Sequence, residues 1–276
     1  MPTETLTMVR PDRLGAVRDQ PLPRPRPPGE FRLSVVLPAY HEVERIAAAI
    51  ARVRAELHPV VGPEDLEVIV VDDGSGDGTA EAAVAADQVI AKPANRGKGA
   101  AVRSGALAAR GRCIAFTDAD LSYAPAQIAN LLVAVEDGWD VVVGNRYHHD
   151  TTTVVKAGFV RGIGGRVING ATRLVLDGGY ADTQCGLKAF RSDVARVLFG
   201  SSRIDGFAFD VELLALVERF GLSLREMPVE VQNSDRSTVR VARDAPRLLG
   251  DLIRIRRGLS GGAYDDAARD LAILQA

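Results

Sequence analysis

From residue 33 to residue 144 the chain repeats one pattern: a short apolar run, a polar turn, then a longer stretch with apolar positions every three or four residues. The runs predict strands over 33–37, 66–71, 88–91, 112–117 and 140–144, and the stretches between them predict helices over 42–57, 79–86, 99–110 and 125–136. Strands separated by helices at this spacing form an α/β fold with a mostly parallel sheet flanked by helices, in a single domain. After residue 144 the pattern predicts a helix over 159–176, a loop and strand over 182–190, and a helix over 209–220. A strand over 223–231 and a helix over 245–256 follow, and the Gly/Asp/Ala-rich tail after residue 258 holds at most one short helix. Seven prolines before residue 30 mark a disordered, polyproline-like leader. The expected division is a leader at 1–30, a domain at 31–257 and a tail at 258–276.

Composition narrows the classes. Apolar residues make up 46% of the chain, enough for a sizeable core, and the net charge of -2 gives no reason to expect nucleic acid as a partner. The two cysteines lack metal-ligand spacing and fit a reduced, cytoplasmic setting. No apolar run reaches the roughly 20 residues that span a bilayer, so any membrane contact is expected from one side, on the cytoplasmic face.

The candidate chemistry sits where the apolar runs end. The run 113–117 delivers Asp118 and Asp120 one residue apart, so both point to the same face at the carboxyl end of a strand, where open α/β sheets bind ligands. Two like charges placed together fit a shared cation, and hard oxygen ligands favour Mg²⁺ or Mn²⁺; a solvated acidic turn is the plainer alternative. The run 68–71 ends in Asp72 and Asp73, followed by glycines that permit a tight turn. Glu42 follows the first strand, where it either favours a helix dipole or bonds a base or ribose. Asn95-Arg96-Gly97-Lys98-Gly99 precedes a helix, a setting for an anion or a base edge, although the P-loop spacing is absent.

Pro38-Ala39-Tyr40, Val71-Asp72-Asp73-Gly74-Ser75, Asn95-Arg96-Gly97-Lys98-Gly99 and Asp118-Ala119-Asp120, in this order, resemble family 2 glycosyltransferases of the GT-A fold. Residues 182–190 and 207–214 narrow the resemblance to the dolichyl-phosphate β-glucosyltransferase and polyprenyl-phosphate mannosyltransferase branch, over about residues 33 to 257. The resemblance implies that Pro38, Tyr40, Glu42, Asp72, Asp73, Lys98 and Asp118 line the nucleotide-sugar pocket. Asp120, with Asp118, holds the metal; Gln184 and Lys188 lie between donor sugar and acceptor. Asp210 and Glu212 stand where inverting relatives keep an acid/base carboxylate. Two departures stand out. Leu187 replaces the phenylalanine of the eukaryotic glucosyl branch, and the Pro-rich leader stands where that branch carries a membrane helix.

The expected reaction is inverting, metal-dependent transfer of glucose or mannose from UDP-glucose or GDP-mannose to a polyprenyl phosphate. A phosphate acceptor is nucleophilic at neutral pH because its second pKa is about 6. It needs a cationic grip, for which Lys188, Arg191 and Arg161 are the candidates, solvated side chains being the alternative for the two arginines. A hydroxyl on a soluble glycan or natural product would instead need a base. Residues 159–168 and 245–257 each carry an apolar face edged with arginines, suited to a membrane interface or to packing on the sheet. A sugar-1-phosphate nucleotidyltransferase would carry a Gly-rich, basic signature after strand one, which 38–42 is not.

Overall fold

Every position of β2 (Leu66–Asp72) is buried, as an interior parallel strand covered on both faces requires. The computed structural model describes residues 17–21, 23–153, 172, 175–176, 180–232 and 241–275. Around β2 stand β1 (Phe31–Ala39), β3 (Gln88–Ala91), β4 (Gly111–Phe116), β5 (Val141–Asn145), β7 (Lys188–Arg191) and β8 (Leu224–Pro228), in a seven-stranded sheet ordered β3-β2-β1-β4-β7-β5-β8. All neighbours run parallel except β7, which is antiparallel to β4 and β5. The strand order turns back between β1 and β4, so the crevice at their carboxyl ends is the expected ligand site. A small second sheet pairs β6 (Thr152–Thr153) with β9 (Glu230–Val231).

Alternation along the strands sorts the core into two layers. Val36, Ile69, Val71, Ile114 and Phe116 pack beneath α3 (Lys98–Ala108), α5 (Ser192–Ser201) and α6 (Phe209–Arg219). Their neighbours Val35, Leu37, Val68, Val70 and Ala115 pack beneath α1 (Ile46–Val61) and α4 (Ala126–Glu136). Gly105 of α3 lets that helix sit on the sheet, since a Cβ there would lie 2.4 Å from Val36 Cγ1. The remaining helices are α2 (Thr79–Ala82), α7 (Val241–Ser260) and α8 (Asp265–Gln275).

The differences from the sequence pattern are local and have physical reasons. α1 begins at Ile46 rather than residue 42, because the amides of Arg45 and Ile46 both donate to the Glu42 carbonyl in a turn that precedes the helix. The run 223–231 breaks into β8 and β9 after Pro228, which has no amide for a sheet ladder. The leader and tail expected outside the domain both touch it. Arg18 bridges to Ser223 beside β8, and the Pro25 carbonyl accepts from Arg191 Nη2 at 2.9 Å. In the tail, Tyr264 Oη donates to the buried Glu212 at 2.7 Å, and Leu271 is buried. These anchors depend on partners far away in sequence, so neither proline content nor glycine content announces them. The helix expected over 159–176 falls largely outside the described residues.

Candidate active site

Asp118 and Asp120 follow β4 into the crevice, and the main chain there is unusual. Among the described residues, the only non-glycine positions with left-handed φ are His41 (+57°), just after β1, and Leu121 (+47°), just after β4. Backbone held in this region by the surrounding fold is characteristic of functional turns. Asp120 Oδ1 accepts from the Ser122 amide at 3.0 Å, which braces the second turn. Asp118 lies against Gly186, where a Cβ would sit 2.3 Å from Oδ2, so that position must be glycine for the carboxylate to stand where it does.

Two lysines stand at this edge of the sheet. Lys98, the first residue of α3, forms an ion pair with Asp118. Burial alone would lower its ammonium, but the Asp118, Asp210 and Asp120 charges outweigh that and hold it above its ordinary value. Lys188 opens β7 opposite Phe116, the last residue of β4, because the antiparallel register brings the start of β7 to the carboxyl edge. Its ammonium donates to Asp210 Oδ1 at 2.6 Å and to the Cys185 carbonyl at 2.7 Å, and stands 5.6 Å from the centre of the Phe116 ring. Both members of the Lys188–Asp210 pair are buried. Burial raises the Asp210 carboxyl, against the pull of Lys188 and Lys98.

The other expected residues divide. Pro38, Tyr40 and Glu42 lie at the end of β1 and just beyond it, with Tyr40 42% exposed. Burial also raises the Glu42 carboxyl, only partly offset by Arg45 and reinforced by Asp120. Asp72 and Asp73 are present at the edge but engaged within the protein. Asp72 accepts from both the amide and the hydroxyl of Ser75. Asp73 Oδ2 accepts from the amides of Arg96 (3.1 Å) and Gly97 (2.7 Å), the same backbone donors that the sequence offers to an anion. Gln184 is set by its amide bond to Asp182 Oδ1 at 3.1 Å, and its Nε2 has no hydrogen-bond partner among the described residues.

Two expectations meet a different geometry. Arg191 is not brought to this edge: it ends β7 opposite Cys113, at the far edge of the sheet, where it bonds Asp193 and the Pro25 carbonyl. Glu212 turns away from Asp210 and accepts from the amides of Arg203 (2.8 Å) and Ile204 (2.9 Å). Arg161 lies outside the described residues. Leu187, at the position that departs from the glucosyl branch, is a fully buried core residue whose carbonyl receives the Gly144 amide.

Sequence reading passed over two anchors. Arg146, just past β5, grips Asp182 through Nε and Nη2, each at 2.7 Å, and its amide donates to the same carboxylate. Burial would raise Asp182, but these bonds win and hold it low. Asp205 binds Arg96 and Arg103 and, through its carbonyl, the Ala100 amide, clamping the Lys98 loop together with Asp73. An arginine directly after a strand end was the only sequence signal for the first; nothing local marked the second.

The carboxylate oxygens of Asp118 and Asp120 are hard donors of the kind that suit a divalent ion such as Mg²⁺ or Mn²⁺, and in this structure the cation beside Asp118 is the Lys98 ammonium. With the site assembled, comparison with known proteins gives a consistent result. The model of glycosyl transferase family 2 matches residues 34–199. A dolichyl-phosphate beta-glucosyltransferase of Drosophila melanogaster is 36% identical over 75% of this chain and 69% of its own length. The Saccharomyces cerevisiae protein of the same name is 31% identical over 86% of this chain and 78% of its own. Among solved structures, glucosyl-3-phosphoglycerate synthase of Mycobacterium tuberculosis, crystallised with Mn²⁺, UDP and glucosyl-3-phosphoglycerate, superposes with a TM-score of 0.61 at 23% identity. That match covers 84% of this chain and 80% of the other, and it establishes the shared fold.

Proposed function

The chain belongs to glycosyl transferase family 2 and is a glycosyltransferase, and we propose that it transfers a hexose from a nucleotide-diphosphate donor to a polyprenyl phosphate of the dolichyl type, with inversion. The observation that carries this reading is the buried Lys188–Asp210 pair set beside the β4 acids. It supplies a cation for an acceptor phosphate and leaves Asp210 occupied in holding that cation. The two relatives described above, both dolichyl-phosphate beta-glucosyltransferases, favour glucose over mannose.

In this scheme Asp118 and Asp120 would hold Mg²⁺ or Mn²⁺ against the donor diphosphate. The ion would offset negative charge on the leaving group without a proton transfer. Pro38, Tyr40 and Glu42 border the nucleotide, while Asp72 and Asp73 shape the turn and the Lys98 loop around it. Lys188 orients the acceptor phosphate, which is already anionic and needs no base. Gln184, fixed through Asp182 and Arg146, offers its amide to the sugar. Attack from the face opposite the diphosphate turns an α-linked donor into a β-linked product.

The test incubates the protein and Mn²⁺ with UDP-glucose or GDP-mannose, with and without a short polyprenyl phosphate, and identifies products by mass spectrometry. Lipid-dependent release of UDP with a glucosylated lipid is the expected outcome. Donor hydrolysis without a lipid product, or transfer only to soluble hydroxyl compounds, would overturn the acceptor assignment.

No helix among the described residues is long and apolar enough to cross a membrane. α7 provides a surface contact instead. Leu252 and Ile255 face the core, while Leu249 and Ile253, four residues apart on the outer side, are 48% and 47% exposed among the exposed Arg247, Arg254, Arg256 and Arg257. An apolar strip edged with arginines fits the interface of an anionic bilayer. The Leu249→Ser/Ile253→Ser variant is expected to lose at least about threefold in co-sedimentation with phosphatidylglycerol vesicles. Unchanged co-sedimentation would remove α7 from the membrane contact.

A further inference from the structure

We propose that Lys98 is a built-in cation that occupies the charge site of the β4 acids until a divalent ion arrives together with the donor, so that metal entry is coupled to nucleotide entry. The inference rests on the reading of Asp118 and Asp120 as metal ligands.

The pair is confined from several sides. Asp118 is backed by Gly186, with no room for another side-chain atom between them. The Lys98 backbone is pinned as well. Asp73 holds the amides of Arg96 and Gly97, and Asp205 holds the Ala100 amide and the Arg96 and Arg103 guanidinium groups. A Cβ at Gly97 would lie 2.5 Å from the Asp205 carbonyl oxygen, so the loop is in direct contact with its clamp. With its flanking residues held in this way, Lys98 yields through its flexible side-chain stem rather than its main chain.

Lys98 also feels Asp210 and Asp120, so its charge is shared over three carboxylates. The second ammonium, on Lys188, is already committed to Asp210. A divalent ion entering alone would therefore have to share these carboxylates with a positive charge already beside Asp118. A nucleoside diphosphate changes that balance, because its phosphate oxygens give the displaced ammonium a new partner. The first cation leaves for the diphosphate as the second takes its place.

The test measures Mn²⁺ binding by the electron paramagnetic resonance signal of the free ion, with and without UDP, and UDP binding by calorimetry with Mn²⁺ present. Lys98→Met is expected to bind Mn²⁺ alone at least tenfold more tightly than the natural protein. It is expected to bind UDP in the presence of Mn²⁺ at least tenfold more weakly. Lys98→Arg, which keeps the cation, should retain weak binding of Mn²⁺ alone, and thermal melts of each variant confirm folding. If Mn²⁺ binds with UDP but Lys98→Met leaves binding of the ion alone unchanged or weakened, the coupling is overturned and the metal reading stands. If no protein binds Mn²⁺ with or without UDP, both are overturned.

Discussion

Asp120→Ala is expected to leave less than about a thousandth of the natural turnover, roughly 4 kcal/mol of lost transition-state stabilisation. The size follows from the role proposed for the group: a metal held at a leaving diphosphate supplies several kcal/mol, and a singly charged lysine ammonium nearby does not replace a divalent ion. The substitution also removes the acceptor for the Ser122 amide, in a turn whose next residue, Leu121, already has left-handed backbone. That loss costs about 1 kcal/mol of stability. Asp120→Asn separates the two effects, since its carbonyl oxygen can still accept from Ser122 while the charge is gone. Both variants should lose turnover, whereas only the alanine should melt appreciably earlier. The check is kcat at saturating Mn²⁺ beside a thermal melt, and more than a tenth of natural activity in the asparagine variant would sink the metal role of Asp120.

The second large effect concerns Lys188 and Asp210. Lys188→Met strands the Asp210 carboxylate in a buried site and is expected to cost about 3–5 kcal/mol of folding stability, the usual penalty for removing one member of a buried pair. The double variant Lys188→Met/Asp210→Leu, which removes both charges, should lose much less than the sum of the single changes, as denaturant unfolding would reveal. Function separates differently. Asp210→Asn preserves shape but loosens the hold on the Lys188 ammonium. With a polyprenyl phosphate acceptor it should raise the acceptor KM by about tenfold, equivalent to about 1.4 kcal/mol, and change kcat less. A fall in kcat alone, with KM unchanged, would identify Asp210 as a base and overturn the positioning role.

These predictions depend on features of very different legibility. That Asp118 and Asp120 follow β4 into the crevice could be read directly from the apolar run before them, but their relative placement could not: β4 ends at Phe116 and the chain turns at Leu121, so the alternation of strand side chains stops before the two acids. The opposition of Asp210 and Glu212 was available in the sequence: positions two apart on a helix lie about 200° apart around its axis, so only one of them can face the crevice. Resemblance alone put them together, and the structure separates them. Lys188 and Arg191 are a different case. Their spacing says nothing about which end of a strand meets the ligand, and the antiparallel setting of β7 sends Lys188 to the carboxyl edge and Arg191 to the opposite one.

By itself, the sequence determined the α/β architecture, the strands that carry acids and the family, because each depends on local periodicity or short contiguous motifs. Only the tertiary structure decided which charges neutralise one another. Asp73 reaches the Arg96–Gly97 amides, Arg146 reaches Asp182, and Lys98 meets both the β4 acids and the field of Asp210. Each pairing joins residues on separate elements, and its existence rests on strand order and direction. Those are set by how the whole core packs, a global balance that no local stretch of chain contains.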